Sequence, residues 1–78
     1  MNDASQIEMT FGEKAVGLAF NPSGDPTVDV IKKAYANIIE LCNDARSRCD
    51  GEKARLFSIA ITEAQGAQMW AVKAITWK

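Results

Sequence analysis

Two long helical patterns with almost nothing between them constrain this chain more than any other feature. From Pro26 to about Cys49, apolar residues return every three or four positions, at Val28, Ile31, Ala34/Tyr35, Ile38, Leu41/Cys42 and Ala45, the repeat of one helical stripe. Asp25 offers an N-cap with Pro26 as a first helical residue of preset φ, and Thr27 is the alternative cap. Arg46 and Arg48 fall in the last turn, where cations suit the helix dipole. A second helical pattern runs from about Glu52 to Trp77. Only Asp50-Gly51 breaks the two, and Gly51 suits a left-handed helix end. Helices joined this tightly must be antiparallel neighbours, each roughly 35 Å long at 1.5 Å per residue. The expected fold class is all-α: an antiparallel helical hairpin carrying a structured N-terminal loop.

The second helix is too apolar for a hairpin standing alone. Ala60, Ala64, Ala67, Ala71 and Ala74 make a heptad-like seam of small residues that admits a close partner. Leu56, Ile59, Trp70 and Trp77 widen the seam on one side, and Ile61, Met69, Val72 and Ile75 on the other. One partner helix cannot cover so wide a face, and an exposed patch of this kind marks an interface. A homo-oligomer of hairpins packed on hairpins is expected. At 78 residues the chain is one small domain whose core needs such help.

Composition removes several function classes. There is no histidine, which excludes histidine-based acid–base and nucleophilic catalysis. With no Cys-x-x-Cys pair either, no zinc site is expected. Cys42 and Cys49 stand seven apart in what reads as one helix, about 10 Å between Cα atoms, too far for a disulfide. They read as core or interface filler. The net charge is -1 and the cations are spread out, so nucleic acid is not an expected partner. Neither a secretory signal nor an apolar run of membrane-spanning length is apparent, and a cytosolic protein without cofactor is expected.

Residues 1–9 read as a flexible lead, with a short strand from Gln6 to Phe11 as its one candidate element, and residues 10–78 as a single hairpin domain: loop 10–26, helix about 26–49, helix about 52–77. The loop is dense in special residues. Gly12, Gly17, Gly24, Pro22 and Pro26 all lie in it, with Phe11 and Phe20. The glycines weaken a helix by about 1 kcal/mol each, so at most a single turn is expected around Gly12 to Ala19. Gly24 and the open N–H groups of the following helical turn favour an anion. Asn21 and Ser23 add side-chain donors, Lys32 or Lys33 reaches toward a phosphate, and Phe11 or Phe20 offers a stacking face. Phe20 equally suits a core role, and a capped helix after a turn is common without any ligand. Gly12-Glu13-Lys14 lacks the spacing of a phosphate-binding P-loop. Nothing gathers two carboxylates in a cleft, and no enzyme is expected.

The run from Phe11 through Gly24, then Val28 and Ile31-Lys32, then Gln68-Met69-Trp70-Ala71-Val72-Lys73-Ala74, resembles the phage hairpin-domain family that includes the anti-CBASS and anti-Thoeris sponges. The resemblance implies a non-enzymatic protein of the host bacterial cytoplasm. It would bind cyclic oligonucleotide or cyclic ADP-ribose-type immune signals and hold them uncleaved. It also implies assembly, commonly as a hexamer, with pockets between protomers. By the same resemblance Phe11 and Asn21, ten positions apart, match ligand contacts of the anti-Thoeris branch, and Lys32 after an isoleucine matches a phosphate contact of the anti-CBASS branch; Phe20, Ser23 and Gly24, read from the loop itself, complete the candidate site. Arg55, Ser58 and Thr62 on the last helix are the candidates for a second pocket. Which branch of the family, and hence which signal, stays open. The competing reading is a protein-interaction hairpin with no small ligand, its apolar second helix docking on another protein.

Overall fold

The computed structural model describes residues 8–78; Met1 to Ile7, most of the lead, lie outside the described residues. Three helices follow one another: α1 (Phe11–Val16), α2 (Pro26–Arg46) and α3 (Gly51–Thr76). Among the described residues there is no strand. The strand expected from Gln6 to Phe11 is replaced at its described end by extended backbone and then a helix. The cause is a capping box: Thr10 Oγ1 accepts from Glu13 N at 3.1 Å, and Glu13 Oε1 accepts from Thr10 N at 2.9 Å. Two of the four open N-terminal donors are thereby satisfied. Thr10→Ala should cost about 1 kcal/mol, read as a lower urea midpoint.

The stretch expected to be loop from 10 to 26 thus holds a helix in its first third. Gly17 ends α1 in the left-handed conformation, φ 63°, and its N–H and that of Leu18 bond back to Glu13 O, the latter at 3.0 Å. This is how a glycine closes a helix. Gly12 has a different reason. It is buried where α1 crosses α2, and a Cβ there would overlap the carbonyl oxygen of Ala36. Its N–H donates to Glu40 Oε1 at 2.7 Å.

α2 and α3 form the expected hairpin, with shifted ends. α2 stops at Arg46 rather than near Cys49, because the chain tightens: Arg48 N bonds Ala45 O and Cys49 N bonds Arg46 O, each three residues back. Cys42 therefore lies in α2 and Cys49 in the link; both are free thiols. Gly51 turns the chain at φ 59°.

The buried face of α2 is Val28, Lys32, Ala36 and Ile39, while Val30, Ile38 and Leu41 are exposed. α1 and α3 both pack on α2, and together they centre its buried side on that line rather than on the stripe through Ile38. Likewise Ile61 and Gln68 are the buried residues of α3, and Ala60, Ala67 and Ala74 of the alanine seam face outward. The core is Val16, Ala36, Ile39 and Ile61. The whole is 41 × 39 × 12 Å, and about 12 Å is the diameter of one helix. A single layer leaves two broad faces open. Phe11, Phe20, Val30, Ile38, Leu41, Leu56, Ile59, Met69, Trp70 and Trp77 are all exposed, more large apolar residues than the core buries.

Candidate functional site

The loop between α1 and α2 is held from within. Asn21 Nδ2 donates to Asp25 O at 3.0 Å and to Asp29 Oδ1 at 3.2 Å, and Asn21 Oδ1 accepts from Ser23 Oγ at 2.7 Å. Ser23 Oγ in turn accepts from Asp25 N, and Asp25 caps α2 through Thr27 N. Both amide protons of Asn21 are engaged, leaving one acceptor lone pair for anything else. Gly24 carries the positive φ, 70°, that closes the turn.

Lys32 is the unexpected member. It is 5% exposed, and its Nζ donates to Gly17 O at 2.9 Å and to Phe20 O. The Phe20 ring lies over it, 5.7 Å from centroid to Nζ. Lysine is seldom buried. Here the ammonium fastens the end of α1 and the start of the loop to α2. Of its three protons, one is left. Phe20, Asn21, Pro22, Ser23, Val28, Lys32, Val72 and Thr76 line a cleft of about 220 Å³. Ligand pockets of drug-sized molecules run from about 300 to 1,000 Å³, so this cleft has room for a group the size of one base or one phosphate and no more.

Phe11 is not in that cleft. Gly12 beside it sits against Ala36 and Glu40, whereas Asn21 bonds Asp25 and Asp29. From Asp29 to Glu40 is about 16 Å along α2 at 1.5 Å per residue. Within one chain the structure brings together Phe20, Asn21, Ser23 and Lys32 and leaves Phe11 apart.

The candidates on α3 divide as well. Arg55 faces outward in a fork on Glu52, 2.9 and 2.7 Å, and holds the Glu52 carboxyl below its usual range. Thr62 Oγ1 turns back to Ser58 O at 3.2 Å. Ser58 faces α2, where its Oγ accepts from Arg46 Nη1 at 3.0 Å. Arg46 Nη2 donates to Asn43 Oδ1 at 2.7 Å, and the guanidinium lies over the Phe11 ring, 5.6 Å from its centroid. Sequence reasoning assigned Arg46 only to the helix dipole; its one distinguishing signal is the lack of a carboxylate three or four residues before it, where Asn43 and Cys42 stand.

Among the described residues no cluster of His, Cys, Asp and Glu is placed to hold a metal ion, and no helix is long and apolar enough to cross a membrane. No curated protein and no solved structure matches this chain. Residues 13–76 match the family described as "Acb2/Tad1, hairpin domain". That range takes in the end of α1, the whole loop, α2 and all of α3. The chain is a member of the Acb2/Tad1 hairpin-domain family, that of the anti-CBASS and anti-Thoeris sponges.

Proposed function

We propose that this protein binds and sequesters a cyclic nucleotide immune signal without cleaving it, in pockets shared between copies of the chain. The site of action is the bacterial host's cytoplasm, and the effect is suppression of anti-phage defence. The observation that carries this reading is the family match across residues 13–76. Three features of the molecule support it. The 220 Å³ cleft offers an aromatic ring, a buried ammonium with one free proton and a hydrogen-bonded amide, which is chemistry for a base and a phosphate but not room for the whole ligand. Phe11 and Asn21 stand apart in one chain, and a pocket using both draws them from different protomers. The exposed apolar residues on both faces of a 12 Å layer supply the surface for that association; a hexamer is the assembly we favour.

Sequestration needs tight burial and no bond broken. Stacking on an aromatic is worth about 1–3 kcal/mol per base, and a charge-assisted hydrogen bond to phosphate about 1.5–3 kcal/mol. A few of each reach nanomolar affinity.

The test is titration of the purified protein with cyclic di- and trinucleotides and cyclic ADP-ribose isomers. We expect at least one to bind well below about 10 μM and to be recovered chemically unchanged after heat release. Phe11→Ala should weaken that binding about 10-fold or more without changing the oligomer. If no signal binds at that level, the reading falls. The exposed Trp70, Trp77 and Met69 favour a second reading, a ligand-free interaction hairpin. One stoichiometric protein partner together with silent titrations would establish it.

A further inference from the structure

We infer that Arg46 is a phosphate-contacting cation beside Phe11, holding the phosphodiester of the ligand whose base stacks on that ring. The inference rests on the reading that Phe11 contacts a cyclic nucleotide, and it adds a residue that neither the loop nor the last helix had suggested.

Four observations converge. The guanidinium lies over the Phe11 ring, at 5.6 Å from the centroid, and Phe11 is still 42% exposed. A base stacked there would bring its phosphates to the neighbouring cation. The fork is held on two sides, by Asn43 Oδ1 at 2.7 Å and Ser58 Oγ at 3.0 Å, so its ordering cost is met before any ligand arrives. Both acceptors are neutral. Among the described residues the one salt bridge is Arg55 with Glu52, so Arg46 carries a half-buried charge with no carboxylate against it. Of five guanidinium N–H groups, three remain open, and a fork with open donors matches two phosphate oxygens at once.

The plainer role for Arg46 is a cation at the end of α2, favoured by the dipole. That role needs the charge near the open carbonyls. Its two hydrogen bonds go to side chains instead, and its charged carbon lies over an aromatic ring. Lys32 cannot serve Phe11 within the same chain, since its ammonium is anchored on Gly17 O and Phe20 O at the other end of α2. In this arrangement Ser58 is a buttress for Arg46 in addition to any contact of its own.

The test uses the intact protein with cyclic di-AMP, cyclic tri-AMP and cyclic ADP-ribose as probes. Affinity is measured at low and high salt, alongside the melting temperature and the oligomer mass. Arg46→Gln should lose about 10- to 100-fold for the probe that the wild type binds, with a weaker salt dependence than the wild type, and Arg46→Lys should recover part of the loss. A purely structural role would lower the melting temperature and leave the salt dependence as it was; that result overturns the inference, as does wild-type affinity in Arg46→Gln. Should Arg46→Gln not fold, Ser58→Ala keeps the charge and removes one anchor. It should then weaken binding about 3- to 10-fold, and unchanged binding overturns the inference. The two levels separate cleanly. A wild type that binds no probe removes the sequestration reading and this inference with it. Binding that needs Phe11 but not Arg46 removes the inference alone.

Discussion

Gly12→Ala should cost the fold about 3 kcal/mol or more, whereas Gly66→Ala should stabilise it. The two substitutions are chemically identical, and both positions are helical. On propensity alone each would gain about 0.5–1 kcal/mol, since alanine loses less backbone entropy. What differs is the space. At Gly12 the new Cβ would overlap the Ala36 carbonyl oxygen and lie 2.9 Å from its carbon, with Glu40 Oε1 at 3.1 Å. Two of these atoms are backbone and cannot swing away, so α1 must lift off α2 and release the Gly12 N–H bond to Glu40. At Gly66 nothing lies within 4 Å. A small domain has roughly 5–10 kcal/mol in all, so the first variant should melt at least about 12 °C lower. Urea unfolding of both, at matched oligomer mass, checks the pair. Equal midpoints would show that the helix crossing is not as tight as described. A destabilised Gly66→Ala would show that its Cβ meets a neighbouring copy.

These two glycines also show what could be read beforehand. Counting helix propensity alone makes Gly12 and Gly17 reasons against a helix. In the fold, one admits the crossing of α1 over α2 and the other ends α1. The pattern that predicts this was present: Thr10 followed three residues later by Glu13 is a capping box, and glycine just after the last turn is a helix stop. The hairpin was legible because periodicity and a two-residue break are local signals. So was the Asp25-Pro26 start of α2. The rotation of α2 was not, because Ile38 and Ile39 are equally apolar and only the docking of α1 and α3 decides which one is covered. Gln68, buried in α3, gives no apolar signal at all. The site divides the same way. Asn21, Ser23 and Gly24 are recognisable as turn residues. The burial of Lys32 and the seating of Arg46 on Phe11 come from contacts 12 or more residues away in sequence, which no spacing rule reaches.

Lys32→Ala should destabilise the protein by about 3 kcal/mol, and Lys32→Met by about 1 kcal/mol. Two contributions separate in that difference. The stem of Lys32 is buried, and Ala removes three methylenes worth about 0.8 kcal/mol each; Met keeps most of that packing. Both variants remove the ammonium that bonds Gly17 O and Phe20 O. Its loss is moderate, because Gly17 O still accepts from Phe20 N at 2.9 Å and the burial of a charge, itself unfavourable, is relieved. The loop should suffer more than the fold, since Phe20 O has lost the donor that tied it to α2. Faster proteolysis between Leu18 and Gly24 in Lys32→Met, out of proportion to its fall of about 1 kcal/mol in urea unfolding, would show this. Ligand binding then divides the two roles of the residue. Should a second cation, Lys32→Arg, restore loop protection and binding together, the latch accounts for both. Restored protection without restored binding would instead place the remaining ammonium proton on the ligand, since a guanidinium engaged with the two carbonyls presents its charge from a different point.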